Sequence, residues 1–94
     1  MIYIVTWNLN GENNYEAARQ QVLNLLQNPA LDAIKDSGLD SAYFVATNWT
    51  ADQLYNHLST AFDDDDRVIV VEILSGHYSG WLHQDMVDWI NARL

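Results

Sequence analysis

Residues 2–9, Ile2-Tyr3-Ile4-Val5-Thr6-Trp7-Asn8-Leu9, read as a strand, and that reading decides the fold. The stretch is β-branched and aromatic, the composition that suits a pleated, half-buried surface. Side chains alternate across a strand, so Ile2, Ile4 and Thr6 share one face and Tyr3, Val5, Trp7 and Leu9 the other. Both sets are largely apolar. A strand apolar on both parities belongs to the interior of a sheet that is covered on both sides. Residues 67–74 (RVIVVEIL) repeat the pattern with Glu72 as the exception, and residues 42–48 (AYFVATN) supply a third strand.

Working outward, Asn10-Gly11 is a turn signal. A helix is expected from about Asn14 to Gln27, with Tyr15, Ala18, Val22, Leu25 and Leu26 on one stripe. Asn28-Pro29 ends it, because the residue before proline avoids the α region. Residues 30–40 carry the weakest periodicity. Leu31, Ile34 and Leu39 fit a short helix followed by a short edge strand, broken at Gly38. Thr50 with Gln53 three residues on forms a capping box. The helix it opens buries Leu54, Leu58, Ala61 and Phe62, and the run Asp63-Asp64-Asp65-Asp66 ends it, since carboxylates oppose the negative end of a helix dipole. After a loop around His77-Tyr78, a last helix runs from about Leu82 to Arg93 with Leu82, Met86, Trp89 and Ile90 on one face. Trp89 is expected in its core and Trp81 where that helix docks.

The order is β-α-β-β-α-β with an additional C-terminal helix: an α+β, ferredoxin-like single domain over residues 1–94. Two helices cover one face of the sheet. The other face, apolar too, calls for the C-terminal helix, a second subunit, or both. A sheet-to-sheet homodimer follows as an expectation, because an apolar face of that size is rarely left in water.

Charge narrows the partners. Thirteen acidic side chains stand against four basic ones, a formal charge of -9 over 94 residues. Each neutralised phosphate needs a nearby Lys or Arg, and the four available, Arg19, Lys35, Arg67 and Arg93, are scattered. Direct nucleic-acid binding and an anionic membrane surface are therefore disfavoured. The absence of cysteine excludes a disulfide scaffold and thiolate chemistry. The first residues lack a basic region ahead of their apolar run, so no signal peptide is expected, and no stretch reaches the roughly 18 apolar residues of a membrane span. The default expectation is a cytoplasmic protein.

The ordered set Trp7-Asn8-Leu9-Asn10, Leu39-Asp40-Ser41, residues 42–48, Thr50-Ala51-Asp52-Gln53-Leu54, His57-Leu58, Asp66 through Ile73, Gly80-Trp81-Leu82 and Trp89-Ile90 resembles the SinR-family small proteins. These are relatives of the CRISPR-associated small adaptation subunit. The resemblance covers nearly the whole chain. It implies a ferredoxin-like fold, a homodimer and a metal-dependent nuclease activity resting on an Asp at the end of the first strand. This chain has Asn8 at that position. Mg²⁺ prefers hard anionic oxygens and usually takes one or two carboxylates; an amide supplies no charge. The departure falls on the one position that phosphodiester cleavage would need.

Each remaining candidate has a plainer reading beside it. Asn8 is either a degenerate metal ligand or a strand-end residue whose amide bonds backbone in the turn before Gly11. Asp63 to Asp66 lack the alternation and central glycine of a calcium loop. They form a solvated turn or an acidic contact surface for a basic partner, which would relieve their mutual repulsion. His57, His77 and His83 show no zinc-ligand spacing. Trp7 and Trp49, at the ends of neighbouring strands, are expected to line a shared edge or dimer surface. The resulting expectation is a non-enzymatic, homodimeric protein-binding module without a cofactor. In its sharpest form it is a nucleic-acid mimic that inhibits a basic partner. The alternative is a Mg²⁺-dependent endoribonuclease using Asn8 or a nearby acid such as Glu12.

Overall fold

The structure, a computed structural model, describes residues 1–11 and 13–94. Among these residues it is an α+β chain of four strands and three α-helices: β1 (Ile2–Asn8), α1 (Tyr15–Leu26), β2 (Asp32–Ile34), β3 (Ala42–Ala46), α2 (Ala51–Leu58), β4 (Arg67–Ile73) and α3 (Gln84–Arg93). The strands form one sheet in the order β2-β3-β1-β4, every neighbouring pair antiparallel. β1 is interior, as its double apolar parity requires, with Ile4 opposite Phe44 on one side and Val71 on the other. Among the described residues no helix is long and apolar enough to cross a membrane.

The odd residues of β1 face α1 and α2. Tyr3, Val5 and Trp7 pack there with Val45, Val22, Leu26, Leu54 and Leu58. Val5, Val22, Val45, Leu54 and Leu58 have no accessible surface at all. The Tyr3 hydroxyl donates to the Trp49 carbonyl at 2.7 Å, which satisfies that polar atom inside the core. Burial first, and the nearby Glu72 carboxylate second, push that phenol's pKa up. The even residues face α3. Ile2, Phe44 and Ile73 pack with Met86 and Ile90 in a second, smaller core.

Helix starts follow local chemistry. Asn14 caps α1, its side chain accepting the Ala17 N–H at 3.1 Å. Thr50 and Gln53 bond reciprocally at 2.8 and 3.1 Å, the expected capping box.

Four expectations change. No helix forms in residues 30–40; the segment contributes the three-residue strand β2, because pairing with Val45 and its neighbours satisfies more backbone than one helical turn would. α2 stops at Leu58, before the acidic run, and passes into a single 3₁₀ turn over Ser59–Ala61 that tightens its C-terminus. Trp7 is buried, at 4 % exposure, stacked on Tyr43 with ring centroids 5.8 Å apart, so it belongs to the helix-side core and not to a dimer surface. Trp81 is the reverse: it does not pack where α3 docks but stands 98 % exposed.

Candidate functional site

The four consecutive aspartates make a braced turn between the 3₁₀ segment and β4. Asp66 is buried. Its Oδ1 accepts the Asn10 N–H at 2.8 Å and its Oδ2 accepts the Asp63 N–H at 3.0 Å. Asp63 Oδ1 in turn accepts the Asp65 N–H at 2.9 Å, an Asx turn. The Asn10 amide donates to the Asp65 carbonyl at 3.0 Å, and Arg67 Nη1 donates to the carbonyls of Asp64 and Asp66 at 3.1 and 2.7 Å. Gly11, at φ 69, holds the facing turn close; a Cβ there would lie 3.3 Å from Asp65 Oδ2. Two of the four carboxylates, Asp63 and Asp66, therefore build the corner. The carboxylates of Asp64 and Asp65 accept no hydrogen bond among the described residues and project to solvent. The braced turn sets the backbone positions from which they project, which suits an acidic contact point.

Asn8 closes β1 opposite Arg67. The two share an open cleft of about 260 Å³ with Thr6 and Ile69. The amide of Asn8 makes no hydrogen bond among the described residues. The backbone-bracing role expected of it belongs to Asn10, two residues on. Glu12, the other acid considered for metal binding, lies outside the described residues. Among the described residues no three His, Asp or Glu side chains converge to hold a metal ion.

The histidines separate cleanly. His57 Nε2 lies 2.8 Å from the Leu25 carbonyl, and its ring sits edge-on to Trp49 at 5.2 Å. A carbonyl only accepts, so Nε2 carries the proton and His57 ties α2 to α1. Trp49 is thus half-buried against that tie. His83 contacts Ser37 Oγ at 3.2 Å, and its backbone N–H donates to Asp36 Oδ2 at 2.9 Å. Asp36 Oδ1 accepts the Gly38 N–H at 2.8 Å. The two backbone donors, and then the His83 charge, hold the Asp36 carboxyl below the ordinary carboxylate range. This carboxylate pins the start of α3 to the 36–40 loop. His77 is exposed in the turn closed by its own N–H donating to the Leu74 carbonyl at 3.0 Å.

A larger concavity than the Asn8–Arg67 cleft lies elsewhere, on the even-parity face of the sheet. α3 and the 75–82 loop leave a groove of about 700 Å³ against Ile4, Phe44 and Ile73. None of its lining side chains is charged. Its floor continues along β4 through Val71 and Ile69, which are 45 % and 56 % exposed, with Trp81 standing at its rim. The alternation of β4 pointed to an apolar second face. Sequence alone left open how much of that face α3 covers, so Ile69, Val71 and Trp81 were missed as candidate surface residues.

The chain matches no model of a known protein family, no curated protein and no solved structure.

Proposed function

We propose that this chain is a non-enzymatic protein-binding module, a homodimer of ferredoxin-like subunits that also presents its acidic turn to a basic partner. The strand order with two helices on one face supports the ferredoxin-like reading. The observation that carries the function is the second sheet face. It is largely apolar, without a charged side chain along the groove among the described residues, and half open to water, on a chain with a formal charge of -9. Exposed apolar patches of this kind mark interaction surfaces.

The acidic turn supports the second partner. Asp64 and Asp65 stand on a turn that Asp63 and Asp66 brace, so binding a cationic surface there orders little backbone that is not already ordered. A nucleic-acid mimic is the sharpest form of this reading: carboxylates take the place of phosphates in a basic groove.

Pull-down from a nucleic-acid-free lysate tests the basic partner. Wild type should retain a basic protein that the double variant Asp64→Asn, Asp65→Asn releases, and added salt should weaken the capture. Recovery of no basic protein would end that half of the reading. Incubation with labelled RNA and Mg²⁺ tests the ribonuclease alternative. Cleavage that disappears in Asn8→Ala would replace the binding reading with a catalytic one.

A further inference from the structure

We infer that Trp81 is a knob for a second copy of this chain: in the homodimer each copy's indole enters the groove of about 700 Å³ beside the other copy's α3. The inference rests on the homodimer reading above and names the surface and the anchor.

Three observations converge on it. First, Trp81 is 98 % exposed. A tryptophan has large apolar area, about 150–250 Å² of it buriable, and a single N–H; leaving all of it in water forgoes more than any other side chain could. The loop that carries it is held in place rather than hanging free. On one side Tyr78 donates its hydroxyl to Asn91 Oδ1 at 2.9 Å, and on the other the His83 N–H is tied to Asp36. The exposure is thus a presented position and not a loose end.

Second, the groove that would receive an indole lies next to it. Ile4, Phe44, Ile73, Val87 and Ile90 line its floor and wall, with Trp81 itself on the rim. Knob and hole adjoin on one surface. A two-fold axis through that surface places each knob over the other copy's hole, so both are filled in one closed, isologous contact. A heterologous arrangement would leave one knob and one hole unfilled at each end.

Third, charge selects the occupant. Each copy carries a formal -9, so two copies repel wherever their acidic surfaces meet. The groove and its continuation over Val71 and Ile69 carry no charged side chain, and Asp63 to Asp66 lie at the far end of β4, beyond Arg67. Association through this face keeps the like charges apart. A basic partner has nothing to pair with here, and its natural target is the acidic turn. An ordinary stable interface takes about 800 Å² from each partner, against 5926 Å² of accessible surface for the chain. The indole, the groove and the Ile69–Val71 strip together form a patch of the right kind for that contact.

The two binding surfaces differ in their salt response. Capture of a basic partner weakens as salt rises, whereas self-association of an acidic chain through an uncharged face tightens, because only the repulsion is screened.

Sedimentation velocity over a concentration series, at low and high salt, tests the inference on wild type, Trp81→Ala and Trp81→Phe. Because Trp81 makes no buried contact, Trp81→Ala should keep the wild-type melting temperature at dilution. It should weaken dimerisation by roughly 30-fold or more, the loss expected of a hot-spot aromatic. Trp81→Phe should recover part of it. A photo-crosslinking residue at position 81, in dimers mixed from isotopically light and heavy chains, should join to the Val87–Asn91 stretch of the opposite copy.

A wild type that is monomeric at every concentration and salt overturns both the inference and the homodimer reading. A dimer whose affinity is unchanged in Trp81→Ala, or whose crosslinks stay within one chain, overturns the inference alone.

Discussion

On the helix side of the sheet, Tyr3, Val5 and Trp7 are sealed under α1 and α2, and most of the residues around them have no exposed surface. On the other side, α3 seals Ile2, Phe44 and Ile73 and then stops, leaving Thr6, Ile69 and Val71 in water. Dimensions explain the difference. Seven-residue strands run about 23 Å, and four strands span about 14 Å between the outer axes. A ten-residue helix is about 15 Å long and about 10 Å wide with side chains. Two helices cover such a sheet; one covers less than half of it. The lesson is that an apolar parity in a strand states a demand for cover, and the number of helices left to meet it states how much surface is offered to a partner.

The sharpest way to break this comparison is to make the same kind of truncation on each face. Leu54→Ala, with no accessible surface at Leu54, should cost about 2–5 kcal/mol. That is a large share of the total for a domain of this size, about 5–14 kcal/mol. Ile69→Ala should cost the isolated chain well under 1 kcal/mol, because over half of that side chain is already in water. Urea titration at a concentration that dilutes out any dimer reads both. Equal costs would mean that the second face is closed.

Much of this architecture was legible in advance, for reasons visible in particular residues. β1 and β4 announced themselves because β-branched and aromatic residues fill both parities over seven positions each, with Glu72 the one charged residue inside β4. Thr50 and Gln53 announced α2 because a capping box is local chemistry. The failures share a cause as well. The short edge strand expected in residues 30–40 is there as β2, but the helix expected before it is not: β2 is only three residues long and is held by β3 beside it, so its place had no local pattern. The corner at Asp66 depends on Asn10, 56 residues earlier, and the His57 tie reaches back 32 residues to Leu25. Trp81 failed most instructively. Its hydrophobicity argued for burial, but a loop residue has no periodicity to say which way it points. The candidate surface was unreadable where it depended on what is not covered.

A smaller effect sharpens the contrast at the end of the sheet, where four identical acids divide into two kinds. Asp66→Ala should cost about 1–3 kcal/mol, since it strands the Asn10 and Asp63 N–H groups that its two oxygens receive. Asp64→Ala should be neutral or slightly stabilising, because it removes like-charge repulsion and no hydrogen bond. Thermal melts of the two single variants check the order. If both cost the same, the run is an undifferentiated solvated turn, and the fixed presentation of Asp64 and Asp65 loses its basis.

The smallest effect concerns how α3 is held over the half of the face that it does cover. Asp36 binds the Gly38 and His83 N–H groups, one on each oxygen, and its folded-state pKa lies below the ordinary 3.8 as a result. A depressed carboxyl pKa means that the unfolded chain takes up the proton first. The stability that Asp36 contributes is therefore whole above the ordinary value and drains away as pH falls through the lower, folded-state value. Asp36→Asn keeps one acceptor but turns an amide N–H toward a backbone N–H, so it loses one of the two bonds at every pH. The stability gap between wild type and Asp36→Asn should narrow as pH falls below about 4. Among the described residues no such carboxylate ties α1 or α2 to the sheet's other side, so the loss should appear in tryptophan signals from Trp89 on α3 before those from Trp7 in the helix-side core. A gap that stayed constant to pH 2 would show that the Asp36 carboxylate does not hold α3. The hold would then pass to the packing of Met86 and Ile90, the Arg93–Asp32 ion pair at 3.1 Å and the Tyr78–Asn91 hydrogen bond.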